Sequence, residues 1–540
     1  MMRQRWLVAP LLGLLACVGA PVQRPDLVLV NGRVFTGAPD QPWAEALAIT
    51  GERLSAVGRN DAVRASAGSA TLVVDLRGRL VIPGINDAHA HPGAVPRHES
   101  LSGPSAAVHD PTLAEVLDRL REAVARASGQ VWIVGEIGAR VLEDPGATRF
   151  ALDAVTPDHP VMLSSWTGHG TLFNTAALRR LDVRDDELDP PGGFYRRMPG
   201  TKALSGVAHE YAEYRLRRRV QEEASDADHR AEFERFAKEA ASLGITTVQA
   251  MMTALPVERT ARLLTPGALP VRFRVIDVPM TATPSAQASA PVGDRLPPQG
   301  AKLILDGTPV ERLMWLREPY ADRPTRGQAN FSADDLAAFV QHARGAGVQP
   351  MVHAVGDAAI DAVLEALDRT GGGSWQALRP RIEHGDLLRP DHYERARRVG
   401  AVLVQNPSHF MLPDVMRARL GDDTSRRPTA MRSIVAAGIP LALGSDGPLN
   451  PFLNLMFAVT NANNPSEALT LEQALVAYTS GSAFAEHQER DKGTLEVGKL
   501  ADLAVLSQDI FGVPVASLPE TTSVLTVVGG RIVHEEATPP

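Results

Sequence analysis

The sequence predicts an α/β protein built on a (β/α)8, TIM-like barrel, with an inserted subdomain after the first barrel strand and a small β-sandwich assembled from both termini. Three observations carry this reading. Eight short apolar runs in the middle of the chain are each followed by a helical pattern or a long loop; both ends are rich in strand patterns; and the long segment between the first two runs has its own strand and helix alternation.

At the start, MMRQRWLVAPLLGLLACVGA (1–20) has basic residues, an apolar stretch too short to span a bilayer, and small residues around Cys17. This pattern predicts a secretory signal of the lipoprotein type, with Cys17 left as the lipid-modified first residue. The protein is then expected to be exported and lipid-anchored at a bacterial cell envelope, on a periplasmic or outer face. A single cysteine in 540 residues excludes an intrachain disulfide framework and any thiolate zinc cage.

Residues 26–82 (DLVLVNGRVFTG, EALAITGERLSAVG, ATLVVDLRGRLVIPG) and 488–537 (GTLEVGKLADLAVLSQD, SVLTVVGGRIVHE) cluster apolar residues between glycine-containing turns. They are expected to form one composite β-sandwich. The barrel occupies 83–487. Its candidate strands are LVIPGINDAH (80–89), ITTVQA (245–250), RFRVI (272–276), AKLILDG (301–307), QPMVHAVG (349–356), RIEHGD (381–386), AVLVQN (401–406) and PLALGSDG (440–447). Helical patterns such as DHRAEFERFAKEAASLG, SADDLAAFVQHARGAG and DAAIDAVLEALDRT lie between them, several with a glycine at the C-cap. The insertion spans about 92–227, too long and too patterned to be a loop. Residues 279–300, rich in proline, alanine and serine, read as a surface loop near the barrel mouth.

With 44% hydrophobic and 22% charged residues the chain is of ordinary globular composition. A net charge of -8, with RLRRRV at 215–220 as the one short basic block, gives no electrostatic footprint for nucleic acid, and none is expected as a partner. A small, uncharged or modestly charged substrate is expected, and a homo-oligomer is left open.

Polar residues gather at the ends of the candidate strands, where a barrel of this class places its chemistry. His89 and His91 close the first strand, and their spacing sends two side chains to one face. His353, His384 and Asp446 close three others. A lone histidine ending a strand is more often a packing residue than a ligand. Four histidines and an aspartate at the same rim instead point to a divalent ion, with zinc the expected one. Lys302 has no lone pair as an ammonium, so a role at the ion requires carbamylation; otherwise it would point to solvent or a surface acid.

Taken in order, NGRVFTG, VIPGINDAHAHP, GITTVQ, AKLILDG, VHAVGD, RIEHGD, QNPSH, LGSDGP and GKLADLAVL resemble the motifs of the amidohydrolase superfamily, in the family 3 branch that includes N-substituted formamide deformylase-like metal-dependent hydrolases. The resemblance covers nearly everything after the signal. It implies one or two divalent ions, the first on His89 and His91 with Asp446, the second on His353 and His384, bridged by carbamylated Lys302. It also implies His169 (SSWTGHGTLFNTAAL) and His409 (QNPSHF) facing the pocket, with Glu210 (GVAHE) from the insertion. The loop in AKLILDGTPVERLM departs from the small, Ser/Gly-rich segment of relatives.

The activity implied is hydrolysis of a carbon–nitrogen bond of a small amide or formamide by metal-activated hydroxide. Asp446 would move the proton, with His169 or His409 stabilising the oxyanion. A deaminase or a lactonase/esterase could use the same ligands. A non-catalytic, ligand-binding surface lipoprotein is the remaining alternative.

Overall fold

Strands buried on both faces must be covered on both sides, which parallel sheets wrapped by helices achieve. In the computed structural model, which describes residues 24–264, 269–283, 300–410, 413–425 and 430–536, eight such strands form one parallel sheet. They are β1 (Ile85–Ala90), β2 (Ile245–Met252), β3 (Arg272–Asp277), β4 (Gly300–Ile304), β5 (Gln349–Ala354), β6 (Arg381–His384), β7 (Val402–Gln405) and β8 (Leu441–Leu443). Each pairs with the next in chain order. The ring closes through a parallel bridge between Ala90 and Asp446, supported by the Asp446 N–H donating to the His89 carbonyl at 2.7 Å. Gly444 permits that approach, because a Cβ there would lie 2.5 Å from the backbone nitrogen of His89.

Helices α1 (Asp226–Ser242), α2 (Val257–Leu263), α3 (Ala333–Gly345), α4 (Asp357–Thr370), α5 (Pro390–Val399), α6 (Met431–Ala436) and α7 (Pro451–Thr460) surround the sheet. Ser225 and Ser332 start α1 and α3 as capping boxes with Asp228 and Asp335, each satisfying amides at the open helix end. The largest buried cluster lies between strands and helices, including Ile85, Val248, Val275, Leu303, Val340, Val363, Ile382 and Leu403.

The expected single strand over 80–89 is two. Leu80–Pro83 pairs with Arg33–Phe35 and Leu503–Leu506 in a six-stranded terminal sheet, and only from Ile85 does the chain enter the barrel. Gly84 marks the break: a Cβ there would lie 2.3 Å from the Thr246 hydroxyl. A second, four-stranded sheet (Leu27–Val30, Ala46–Thr50, Arg53–Gly58, Leu72–Asp75) packs on the first through Leu29, Val34, Leu47, Ile49, Val81, Leu503 and Val505. Between β1 and β2, six strands from His98–Ser100 to Leu204–Glu210 make a separate sheet, followed by the helix Tyr211–Glu222.

Residues 1–20 with Cys17, residues 284–299 of the proline-rich loop, and 537 at the end of the second sandwich segment lie outside the described residues. No described helix is long and apolar enough to cross a membrane.

Candidate metal centre

The carboxyl ends of β1, β5, β6 and β8 converge on the Asp446 carboxylate. Its Oδ1 lies 3.2 Å from His91 Nε2 and 3.8 Å from His89 Nε2. Its Oδ2 lies 3.1 Å from His409 Nε2 and 3.9 Å from His384 Nδ1. Two trios therefore have donor atoms close enough to share an ion: His89, His91 and Asp446, and His384, His409 and Asp446. His353 stands beside them, its ring centroid 4.4 Å from that of His384, but it joins neither trio. Its Nε2 is 3.7 Å from Asp306 Oδ1.

Backbone geometry turns these groups inward. His384 and Asp446 have φ of 68° and 53°, a region that non-glycine residues rarely occupy and that clusters at functional sites. On an ordinary strand Glu383 and His384 would face opposite ways. The left-handed turn at His384 lets both serve the site.

The donor set suits a divalent cation. Burial pushes His89 down to about 4, and pushes His353 and His384 well below the ordinary histidine range, so all three are neutral imidazoles at pH 7. Burial alone would raise Asp446, but the neighbouring His89 and the hydrogen bonds from His409 and His91 hold it well below the usual carboxylate range. Among the described residues, the buried Nδ1 of His384 and Nε2 of His353 have no hydrogen-bond partner, a costly state that coordination would relieve.

His89 is oriented by Glu383, which accepts from its Nδ1 at 2.7 Å and thereby leaves Nε2 with the lone pair. Glu383 is itself clamped by Arg381 through bonds of 2.6 and 3.0 Å. Sequence reasoning missed this pair. The signal was present: Arg381 and Glu383 alternate about Ile382 on a wholly buried strand, and charged side chains there face the barrel interior rather than the helices. Asp306 was missed too. Its carboxylate accepts from the amides of Val355, Gly356 and Trp315 at 2.9–3.0 Å, tying the end of β4 to that of β5.

Lys302 does not point to solvent. It is 2% exposed inside the barrel, and its Nζ donates to His89 Nε2 at 2.8 Å. Burial lowers it to about 8, which favours the neutral amine that carbamylation needs.

The inserted sheet delivers His169. Its Nδ1 lies 3.0 and 3.1 Å from the two oxygens of buried Glu210, which also accepts from Asn330 at 2.9 Å. The His169 ring is 5.0 Å from that of His353. Gly307 makes room, since a Cβ there would lie 2.4 Å from Glu210 Oε1. Burial disfavours the charged imidazole, but Glu210 outweighs it and raises His169 to about 9. The pair's stabilisation is therefore complete below about pH 6.5 and lost as the pH rises through about 9. Melting of metal-free protein between pH 6 and 10 checks this: the gap between wild type and His169→Gln should shrink by about 3 kcal/mol across that range. A gap independent of pH would mean that the pair is uncharged.

A protein-family model described as the amidohydrolase family matches residues 72–534. Protein LONG AFTER FAR-RED 3 of Arabidopsis thaliana is 28% identical, over 94% of this chain and 91% of its own. N-substituted formamide deformylase of Arthrobacter pascens is 26% identical, over 95% of this chain and 99% of its own. An uncharacterized metal-dependent hydrolase from Pyrococcus horikoshii shares the fold, with a TM-score of 0.70 at 23% identity over 91% of this chain and 99% of that one. The rim of imidazoles around one carboxylate thus sits in a match that runs almost the length of the chain, and the protein belongs to the amidohydrolase family.

Proposed function

We propose that this metal-dependent hydrolase cleaves the carbon–nitrogen bond of a small amide of the formamide type. His89, His91 and Asp446 would hold one divalent ion, with zinc favoured by the imidazole and carboxylate donors. His384 and His353 would hold a second, bridged by carbamylated Lys302. The bond from Lys302 Nζ to His89 Nε2 supports the modification, because an ammonium there occupies the lone pair that an ion requires. When bound, the ion supplies a strong nucleophile near neutral pH and draws electron density from the scissile carbonyl.

The observation that carries the choice of bond is the position of Asp446. One oxygen faces His91 and the other faces His409, at 3.2 and 3.1 Å. A carboxylate so placed can take a proton on one side and hold it beside an imidazole on the other. An amine leaves only when it is protonated, whereas an alkoxide, far less basic than an amide anion, depends on that help less. His409 is kept in line by Asp386, whose Oδ2 is 3.6 Å from its Nδ1. His169, tied to Glu210 through Nδ1, has no protein partner at Nε2 among the described residues and is free to donate to the carbonyl oxygen as charge develops there. The relative named for formamide cleavage supports the same bond.

A substrate panel tests the proposal. Zinc-loaded enzyme should hydrolyse N-substituted formamides or N-acyl amines with kcat/KM at least about 100-fold above lactones, esters and aminopurines. Preferential turnover of an ester or lactone, or of an exocyclic amine, would replace this reading with one of the other two reactions. An inert protein that retains its metal would leave only ligand binding.

A further inference from the structure

The basic run RLRRRV lies on the inserted helix Tyr211–Glu222, which packs beside the metal-binding HAHPG segment: Gln221 Nε2 is 3.5 Å from the Cβ position of Gly93. Three of its four arginines hold backbone carbonyls. Arg215 donates to Met280 at 2.6 Å and Arg219 to Leu181 at 3.0 Å. Arg218 donates to Thr253, Met252 and Val278 at 3.0, 2.7 and 2.9 Å, which pins the helix to the carboxyl ends of β2 and β3.

Arg217 differs. Its Nη1 donates to Glu213 Oε1 at 3.1 Å, and its Nε and Nη2 have no protein partner among the described residues. It stands beside the His169 half of the site. Its Nη1 is 3.7 Å from the Cβ position of Gly168, next to His169. The residue that follows it, Arg218, holds the carbonyl of Thr253, whose hydroxyl lies 3.3 Å from His91 Nδ1. With 32% of its side chain exposed, Arg217 is accessible to a ligand entering the mouth. Glu213 neutralises it only in part, since burial pushes that carboxyl up to about 7 against the pull of Arg217.

The Nε and Nη2 edge of a guanidinium offers two parallel N–H groups, a fork matched to one carboxylate. We propose that Arg217 anchors a carboxylate of the substrate, so that the amides cleaved carry an acid group on the departing amine, as N-formyl and N-acyl amino acids do. This rests on the carbon–nitrogen reading above.

The test compares N-formylphenylalanine with N-formylphenethylamine, its analogue without the carboxylate, on zinc-loaded enzyme. The ratio of their kcat/KM values should be about 30 or more in wild type and should fall toward unity in Arg217→Met, chiefly through KM of the acid. Arg217→Lys keeps the charge beside Glu213 but lacks the fork, and should give an intermediate ratio. A wild-type ratio near one, or a ratio unchanged in Arg217→Met, overturns the proposal while leaving amide cleavage standing. If neither formamide nor the corresponding N-acetyl pair is hydrolysed, the carbon–nitrogen reading fails instead. Calorimetry then decides Arg217 separately: N-formylphenylalanine must bind wild type at least tenfold more tightly than Arg217→Met, and equal affinities overturn the assignment.

Discussion

Asp446→Asn should lower kcat/KM on the best amide substrate by about 1,000-fold while leaving most of the bound zinc in place. The substitution is nearly isosteric, and asparagine tolerates a positive φ as well as aspartate does, so the φ of 53° at this position is no obstacle to folding. The backbone N–H of residue 446 still donates to the His89 carbonyl at 2.7 Å and keeps β8 against β1. His89 and His91 still present their imidazoles. What disappears is an acidic oxygen able to accept and return a proton between His91 and His409. Metal analysis beside steady-state kinetics separates the roles. Loss of activity together with loss of zinc would make Asp446 chiefly a ligand. Activity within tenfold of wild type would remove it from proton transfer.

Much of this arrangement is legible in the amino-acid sequence alone. The rim is readable because five ligand-type side chains end four apolar runs, and a barrel sends the ends of all its strands to one mouth. Gathering by closure needs no knowledge of the loops. The Ala90–Asp446 bridge is that closure made concrete. Other features stay hidden for physical reasons. Period-two alternation cannot show that Glu383 and His384 both serve the site, because that depends on the φ of 68° at His384. Lys302 stands early on its strand, a position from which a side chain can often escape to water. Here every residue of Gly300–Ile304 is buried, so it cannot. Nor does the pattern of LVIPGINDAH show that it is shared between two sheets, since the division depends on the close pass of Gly84 by Thr246. The partners brought by the insertion, Glu210 to His169 and Arg217 to the mouth, depend on how a separate sheet docks, and periodicity within one segment carries no such information.

Glu383→Gln should have the second largest effect, on metal affinity and stability together. Both Arg381 and Glu383 are wholly buried, and the Glu383 carboxylate joins Arg381 to His89. Burial alone would raise its pKa, but the Arg381 charge and the bond from His89 hold it at about 2. The stabilisation is therefore present above about pH 4.5 and lost as the pH falls through about 2. Glutamine keeps the shape but strands the guanidinium in the barrel without a countercharge, at a cost of about 3–5 kcal/mol. It also weakens the grip on the His89 N–H, which should loosen zinc by about 10- to 100-fold in a chelator competition. A double-mutant cycle distinguishes pairing from packing. Arg381→Met with Glu383→Gln should melt higher than Glu383→Gln alone, because the uncompensated charge is gone, while the zinc affinity stays low, because His89 still lacks its carboxylate. If the double variant melts lower than either single one, the two residues contribute through independent packing. If zinc binds Glu383→Gln as tightly as wild type, the carboxylate does not orient the ligand.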